Sequence, residues 1–237
     1  MASECVFFCM CMSGILNVWL FACHTHATIN LTASRRHAHG VQHVPQMQQT
    51  YAAQHSYEDG SLACSSISLH WSLACVHAFI EPMCGIKQME QLVRHSINVH
   101  KDVRSVVHEG MLKTTDITDR IGMPHNTTCL DVYMHTNSEI DIESASDFKI
   151  THARDIASLL HPDSALVLTY SRHTRAMYCD HTGKLFVFDS MPGLVLEIER
   201  AALAEYLFGV HTGAAKWPEF EAYGILITKR DANKVKQ

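Results

Sequence analysis

The sequence predicts an α+β domain in which a helix opening on a cysteine packs against an antiparallel sheet. Three observations predict it. After the turn Glu58-Asp59-Gly60, a helical apolar pattern begins at Cys64, with Ile67, Trp71, Ala74, Cys75 and Ala78 recurring at spacings of three and four. Between residues 165 and 189, short apolar and β-branched segments are separated by turn residues, the pattern of hairpins. A strand, helix and strand pattern follows over residues 194–228. With 237 residues, 47% hydrophobic and 18% charged, the chain can bury a sizeable core. Its net charge of -5 and lack of a basic stripe argue against a nucleic-acid partner.

Residues 5–23 are apolar over nearly the length of a membrane span. Three readings are open for them: an anchor giving membrane association, a signal sequence, or an extension packed on the domain. The segment ahead of them, Met1-Ala2-Ser3-Glu4, carries no positive charge, which counts against secretion. The sequons at Asn30 and Asn126 matter only if the chain enters a secretory lumen. Residues 24–47, rich in His, Gln, Thr, Ser and Ala, read as a flexible linker, and Arg35-Arg36 is too short for a nucleic-acid patch. A domain over residues 48–229 and a polar tail over 230–237 complete the expected organisation.

In the Cys64 helix, Ser61 is placed to cap the first turn. A thiol there faces the positive end of the helix dipole, which favours thiolate, the form that attacks carbonyls. Taken alone, Cys64 also fits a small buried hydrophobe, and Trp71 fits a core residue. Residues 86–108 continue in helical period, with Met89, Leu92, Val93, Val99, Val103 and Val106 on one face that packs on the Cys64 helix. Residues 116–124 read as a short helix ended by Gly122 and Pro124. Residues 130–135 alternate like a strand, 138–147 are acidic and exposed, and 151–161 are helical with Ile156, Leu159 and Leu160 inward.

Strands are expected over 165–171, 173–179 and 184–189, with a turn over 180–183. In such a hairpin His173 opens one strand and Asp189 ends its neighbour, so the two side chains can lie side by side. Singly, His173 fits a solvent-facing strand histidine and Asp189 a residue closing a strand. Together with Cys64 they supply a thiol, an imidazole to share its proton and a carboxylate to orient the imidazole. A strand over 194–198, a helix over 200–208 with Leu203, Tyr206 and Leu207 inward, and a last strand over 222–228 follow.

The nine cysteines divide into Cys5, Cys9, Cys11 and Cys23 in the first stretch and five dispersed ones, Cys64, Cys75, Cys84, Cys129 and Cys179. That odd, irregular set suggests reduced thiols more than a disulfide framework. Eighteen histidines are scattered without Cys-x-x-Cys or His-x-Glu-x-x-His spacing, so neither a metal nor a cofactor is expected.

The Cys64 helix, the hairpin ending in Phe186-Val187-Phe188-Asp189-Ser190, and the stretches Pro192-Gly193-Leu194-Val195-Leu196-Glu197-Ile198-Glu199 and Ala202-Leu203-Ala204-Glu205-Tyr206-Leu207 resemble the cysteine proteases at the amino end of herpesvirus large tegument proteins. The resemblance covers approximately residues 48–229. It implies a papain-like fold and deubiquitinase activity, with ubiquitin or a ubiquitin-like protein as substrate, in the virion or host cytoplasm. Cys64, His173 and Asp189 stand in the chain order Cys, His, Asp of the papain-like plan, and the resemblance adds Gln54 as the oxyanion donor; Gln49 lies on the other side of the place where the family has that glutamine. In that family an Asp-x-His pair supplies both acid and base, whereas this chain has Asp189-Ser190-Met191. Either His173 is the base, or the domain is an inactive descendant that binds proteins. A structural, membrane-associated protein in which Cys64 is incidental is the third reading.

Overall fold

The computed structural model describes residues 38–43, 63–107, 117, 118, 120, 123, 124, 126–132, 149–170, 173–191, 193–214 and 222–229. Within them, strands β1 (Ala38–His43), β2 (Thr127–Asp131), β3 (Ser164–Tyr170), β4 (His173–Cys179), β5 (Leu185–Asp189), β6 (Leu194–Ile198) and β7 (Ala222–Lys229) form one sheet in the order β1-β6-β5-β4-β3-β7-β2. Every neighbouring pair is antiparallel. Helices α1 (Cys64–Val76) and α2 (Ile86–Arg104) cover one face, while α3 (Ile150–Leu159) and α4 (Arg200–Ala214) cover the other.

The period-two side-chain pattern sorts the core cleanly. Ala165, Val167, Ala176, Tyr178, Phe186, Phe188, Val195, Ile225 and Ile227 join α1 and α2. Leu166, Leu168, Met177, Cys179, Leu185, Val187, Leu194, Leu196, Ile198 and Leu226 join α3 and α4. A sheet covered on both faces needs apolar residues at successive positions, which is why β5, Leu-Phe-Val-Phe-Asp, reads as a continuous apolar run. The α1 helix lies between the sheet and α2, and it is buried nearly all round. Trp71, fully buried, stacks on Phe188 with ring centroids 5.1 Å apart and meets Tyr178 edge-on at 6.4 Å, so it is a core residue.

Several expectations shift. Ala38–His43, inside the stretch expected as a linker, forms the strand that pairs with β6 at one sheet edge. Composition hides such a strand because an edge pairs through its backbone and needs no apolar run. Helix α1 ends at Val76, and Ala78 is an exposed turn residue at φ 57. Helix α2 ends at Arg104, leaving Val106 exposed, and its buried face also includes Ser96, Ile97 and His100. Strand β2 starts three residues before the expected stretch, in register with β7, and α4 runs six residues beyond it. No helix among the described residues is long and apolar enough to cross a membrane; residues 5–23 lie outside them.

Candidate active site

The start of α1 meets the sheet where β4 begins and β5 ends. Ala63 is the helix N-cap and offers no side-chain hydrogen bond; Ser61, expected in that role, lies outside the described residues. The serines after Cys64 bind the sheet instead. Ser65 Oγ and Thr174 Oγ1 share a hydrogen bond of 2.8 Å, Thr174 Oγ1 and Thr169 Oγ1 share another of 2.8 Å, and Ser68 Oγ donates to the Thr174 carbonyl at 3.1 Å. This buried hydroxyl chain ties the first turn of α1 to β3 and β4, and so sets Cys64 beside His173.

His173 is the first residue of β4, and Nε2 lies 2.7 Å from Asp189 Oδ1. An ionised carboxylate only accepts, so Nε2 carries the proton. Nδ1 is then the ring atom left for the thiol. It is buried and makes no aligned hydrogen bond, yet His173 and Cys64 interact closely enough to shift each other's protonation.

The electrostatics single out this thiol. Burial raises the pKa of Cys75, Cys84 and Cys179, and pushes Cys129 up to about 11. Cys64 is 2% exposed, and burial pushes its thiol up as well. The hydrogen bond and charge of His173, with hydrogen bonds from the Thr174 backbone and side chain, outweigh that, and its pKa falls. Among the described thiols it alone moves down. For His173, burial favours the neutral ring, but the Asp189 charge prevails and the pKa is pushed up to about 9. Burial would raise the Asp189 pKa too, yet His173, Arg175 and the Met191 amide hold it well below the ordinary carboxylate range. These directions move the pair toward a thiolate beside an imidazolium.

Two charged or polar neighbours escaped the sequence reading. Arg175 Nε donates to Asp189 Oδ2 at 2.8 Å, and Tyr206 of α4 interacts electrostatically with the same guanidinium. A lone arginine two residues after His173 in an apolar strand was the available signal, because a charge there needs an acid nearby. Met191 contributes its backbone N–H, which donates to Asp189 Oδ1 at 3.1 Å. The imidazole that pairs with Asp189 comes from the neighbouring strand β4, and residue 191 contributes only its backbone. Gln49 and Gln54 lie outside the described residues. No group of three or more metal-ligating side chains converges among the described residues, and the five described cysteines are free thiols.

No family model matches the sequence, and no curated protein is similar to it in sequence. Among solved structures, this fold is similar to the ubiquitin-specific protease encoded by a murine cytomegalovirus tegument protein, seen in complex with a ubiquitin-based suicide substrate. The TM-score is 0.53 at 15% identity, over 79% of this chain and 85% of that one. At that identity the likeness speaks to architecture: the chain has a papain-like α+β fold, with a nucleophile-type helix packed on an antiparallel sheet.

Proposed function

We propose that this chain is a cysteine peptidase that cleaves ubiquitin or ubiquitin-like conjugates, with Cys64 as nucleophile, His173 as base and Asp189 as the group that orients the ring. The observation that carries it is the lowered pKa of Cys64 beside a ring held by Asp189, where burial raises every other described thiol. The ubiquitin substrate is supported by the structural neighbour, which acts on ubiquitin.

The Cys64 thiolate attacks the carbonyl carbon of the scissile peptide or isopeptide bond, and the carbonyl oxygen becomes an oxyanion. The Cys64 amide, at the positive end of α1, and the Gln54 side chain donate to it. His173 gives its Nδ1 proton to the departing amine as the thioester forms. It then takes a proton from water, whose oxygen attacks the thioester and releases the acid and the thiolate. Throughout, Asp189 accepts from Nε2 and stays ionised.

The test is reaction of the full chain with a ubiquitin probe bearing a thiol-reactive C-terminus, beside Cys64→Ala and His173→Ala. An adduct formed by the parent chain and lost in both variants is expected. A folded parent chain that forms none overturns the reading and leaves a protein-binding domain without turnover, the outcome that Met191 in the Asp-x-His place would then explain.

A further inference from the structure

Arg175 is a cation on the α4-covered side of β4, with 13% of its side chain exposed. Continued one step beyond Ala176 and Phe188, the β4–β5 register sets it directly across from Asp189. Removing a guanidinium from water is costly unless it is paired, and here the pairing divides the carboxylate. Oδ1 accepts from His173 Nε2 at 2.7 Å and from the Met191 amide at 3.1 Å, while Oδ2 accepts from Arg175 Nε at 2.8 Å. Tyr206 of α4 lies close enough to the guanidinium for the two to shift each other's protonation. A carboxylate held on one oxygen can turn about its Cβ–Cγ bond; one held on both cannot.

We propose that Arg175 is a positioning residue, whose guanidinium fixes the Asp189 carboxylate with Oδ1 toward His173 and so keeps the other ring nitrogen facing Cys64. The proposal rests on the roles assigned above to those three residues. The titratable groups that face one another here are Cys64 from α1, His173 and Arg175 from β4, Asp189 from β5 and Tyr206 from α4. In this set Arg175 has two electrostatic effects: its charge opposes the imidazolium, and it attracts the Cys64 thiolate. Losing it relieves the imidazolium, but it also removes the attraction on the thiolate and lets the ring leave its place, and these two losses weaken the thiolate.

The test is the rate of iodoacetamide modification at Cys64 in the full chain, resolved from the other thiols by peptide mass spectrometry, between pH 4 and 10. Parent, Arg175→Met, Arg175→Lys and Tyr206→Phe chains are compared, each checked for fold by circular dichroism and thermal unfolding. In Arg175→Met the acid limb of the profile moves to higher pH and the rate at pH 7 falls roughly fivefold or more. Arg175→Lys restores charge but not the fixed planar direction and recovers part of the rate. Tyr206→Phe, which frees one side of the guanidinium, shifts the limb less in the same direction. Should the Met variant fail to fold, the Lys and Phe variants decide. Lower melting temperatures with an unmoved acid limb would mean a merely structural arginine and overturn the proposal. Because alkylation needs no substrate, it reads Arg175 even if the ubiquitin probe does not react. A reactive probe with an unmoved limb sinks the Arg175 role alone.

Discussion

Replacing Asp189 with Asn tests the site at its most buried charge. The carboxylate lifts His173 from 6.5 to about 9, and a rise of that size corresponds to roughly 3 kcal/mol favouring the charged ring. The Asp189→Asn substitution removes that preference, and burial then pushes the ring toward neutrality. The amide also cannot satisfy the site: Arg175 Nε donates at one oxygen position and the Met191 N–H at the other, so the new NH2 faces a donor whichever way it turns, and the hold on the His173 ring is lost. The Cys64 thiol reverts to an ordinary pKa or above, where at most about 3% is thiolate at pH 7. Because a more basic thiolate is also more nucleophilic, the alkylation rate at pH 7 falls by less than the thiolate fraction does, and a loss of several-fold is expected. The assay is the pH profile of iodoacetamide modification at Cys64, with fold checked by circular dichroism. A folded Asp189→Asn chain whose profile lies on the parent's would refute the assignment of the Cys64 shift to the His173–Asp189 pair.

Three further outcomes are expected. Trp71→Ala removes a fully buried indole stacked on Phe188 and should cost about 3–5 kcal/mol in urea unfolding; a loss under 1 kcal/mol would contradict its place in the core. Thr174→Val breaks the hydroxyl chain to Ser65 and Thr169 and should cost roughly 1–3 kcal/mol, since buried hydroxyls lose a partner; unchanged urea midpoints would count against it. In a Cys64→Ala background, which removes the thiol's own titration, the Asp189 charge still raises the His173 pKa, so the pair stabilises the fold below pH 6.5 and the benefit is lost as pH rises through that raised pKa, which lies below the parent's about 9 without the Cys64 hydrogen bond. The depressed Asp189 pKa adds stability above the ordinary carboxylate range that is lost as pH falls through it. Stability against pH should flatten on the alkaline side in Cys64→Ala, His173→Gln, and an equally steep alkaline loss in both chains would argue against the His173 assignment.

Local pattern carried much of this fold. Apolar period and turn chemistry located the start of α1 and the bounds of β4, β5 and β6 to within about a residue, because each buries side chains at positions its own period dictates. It also found the pair His173 and Asp189, since hairpin geometry alone brings the start of one strand to the end of the next. Boundaries failed where tertiary contacts decide them. Strand β2 begins where β7 offers a partner, α4 extends beyond its clearest apolar period, and β1 forms from a polar stretch because β6 has an open edge.

By itself, then, the sequence determined an α+β domain with a cysteine at the start of a buried helix and an imidazole and carboxylate on neighbouring strands. Only the tertiary structure decided which neighbours those groups have. That Cys64 lies against His173 while Cys75, Cys84 and Cys179 do not, that Arg175 completes the Asp189 carboxylate, and that Thr174 ties helix to sheet all depend on contacts between segments tens of residues or more apart along the chain or across a hairpin. The physical reason is that a pKa and a hydrogen bond report the distance and burial of specific partners, whereas periodicity reports only which side of an element faces inward.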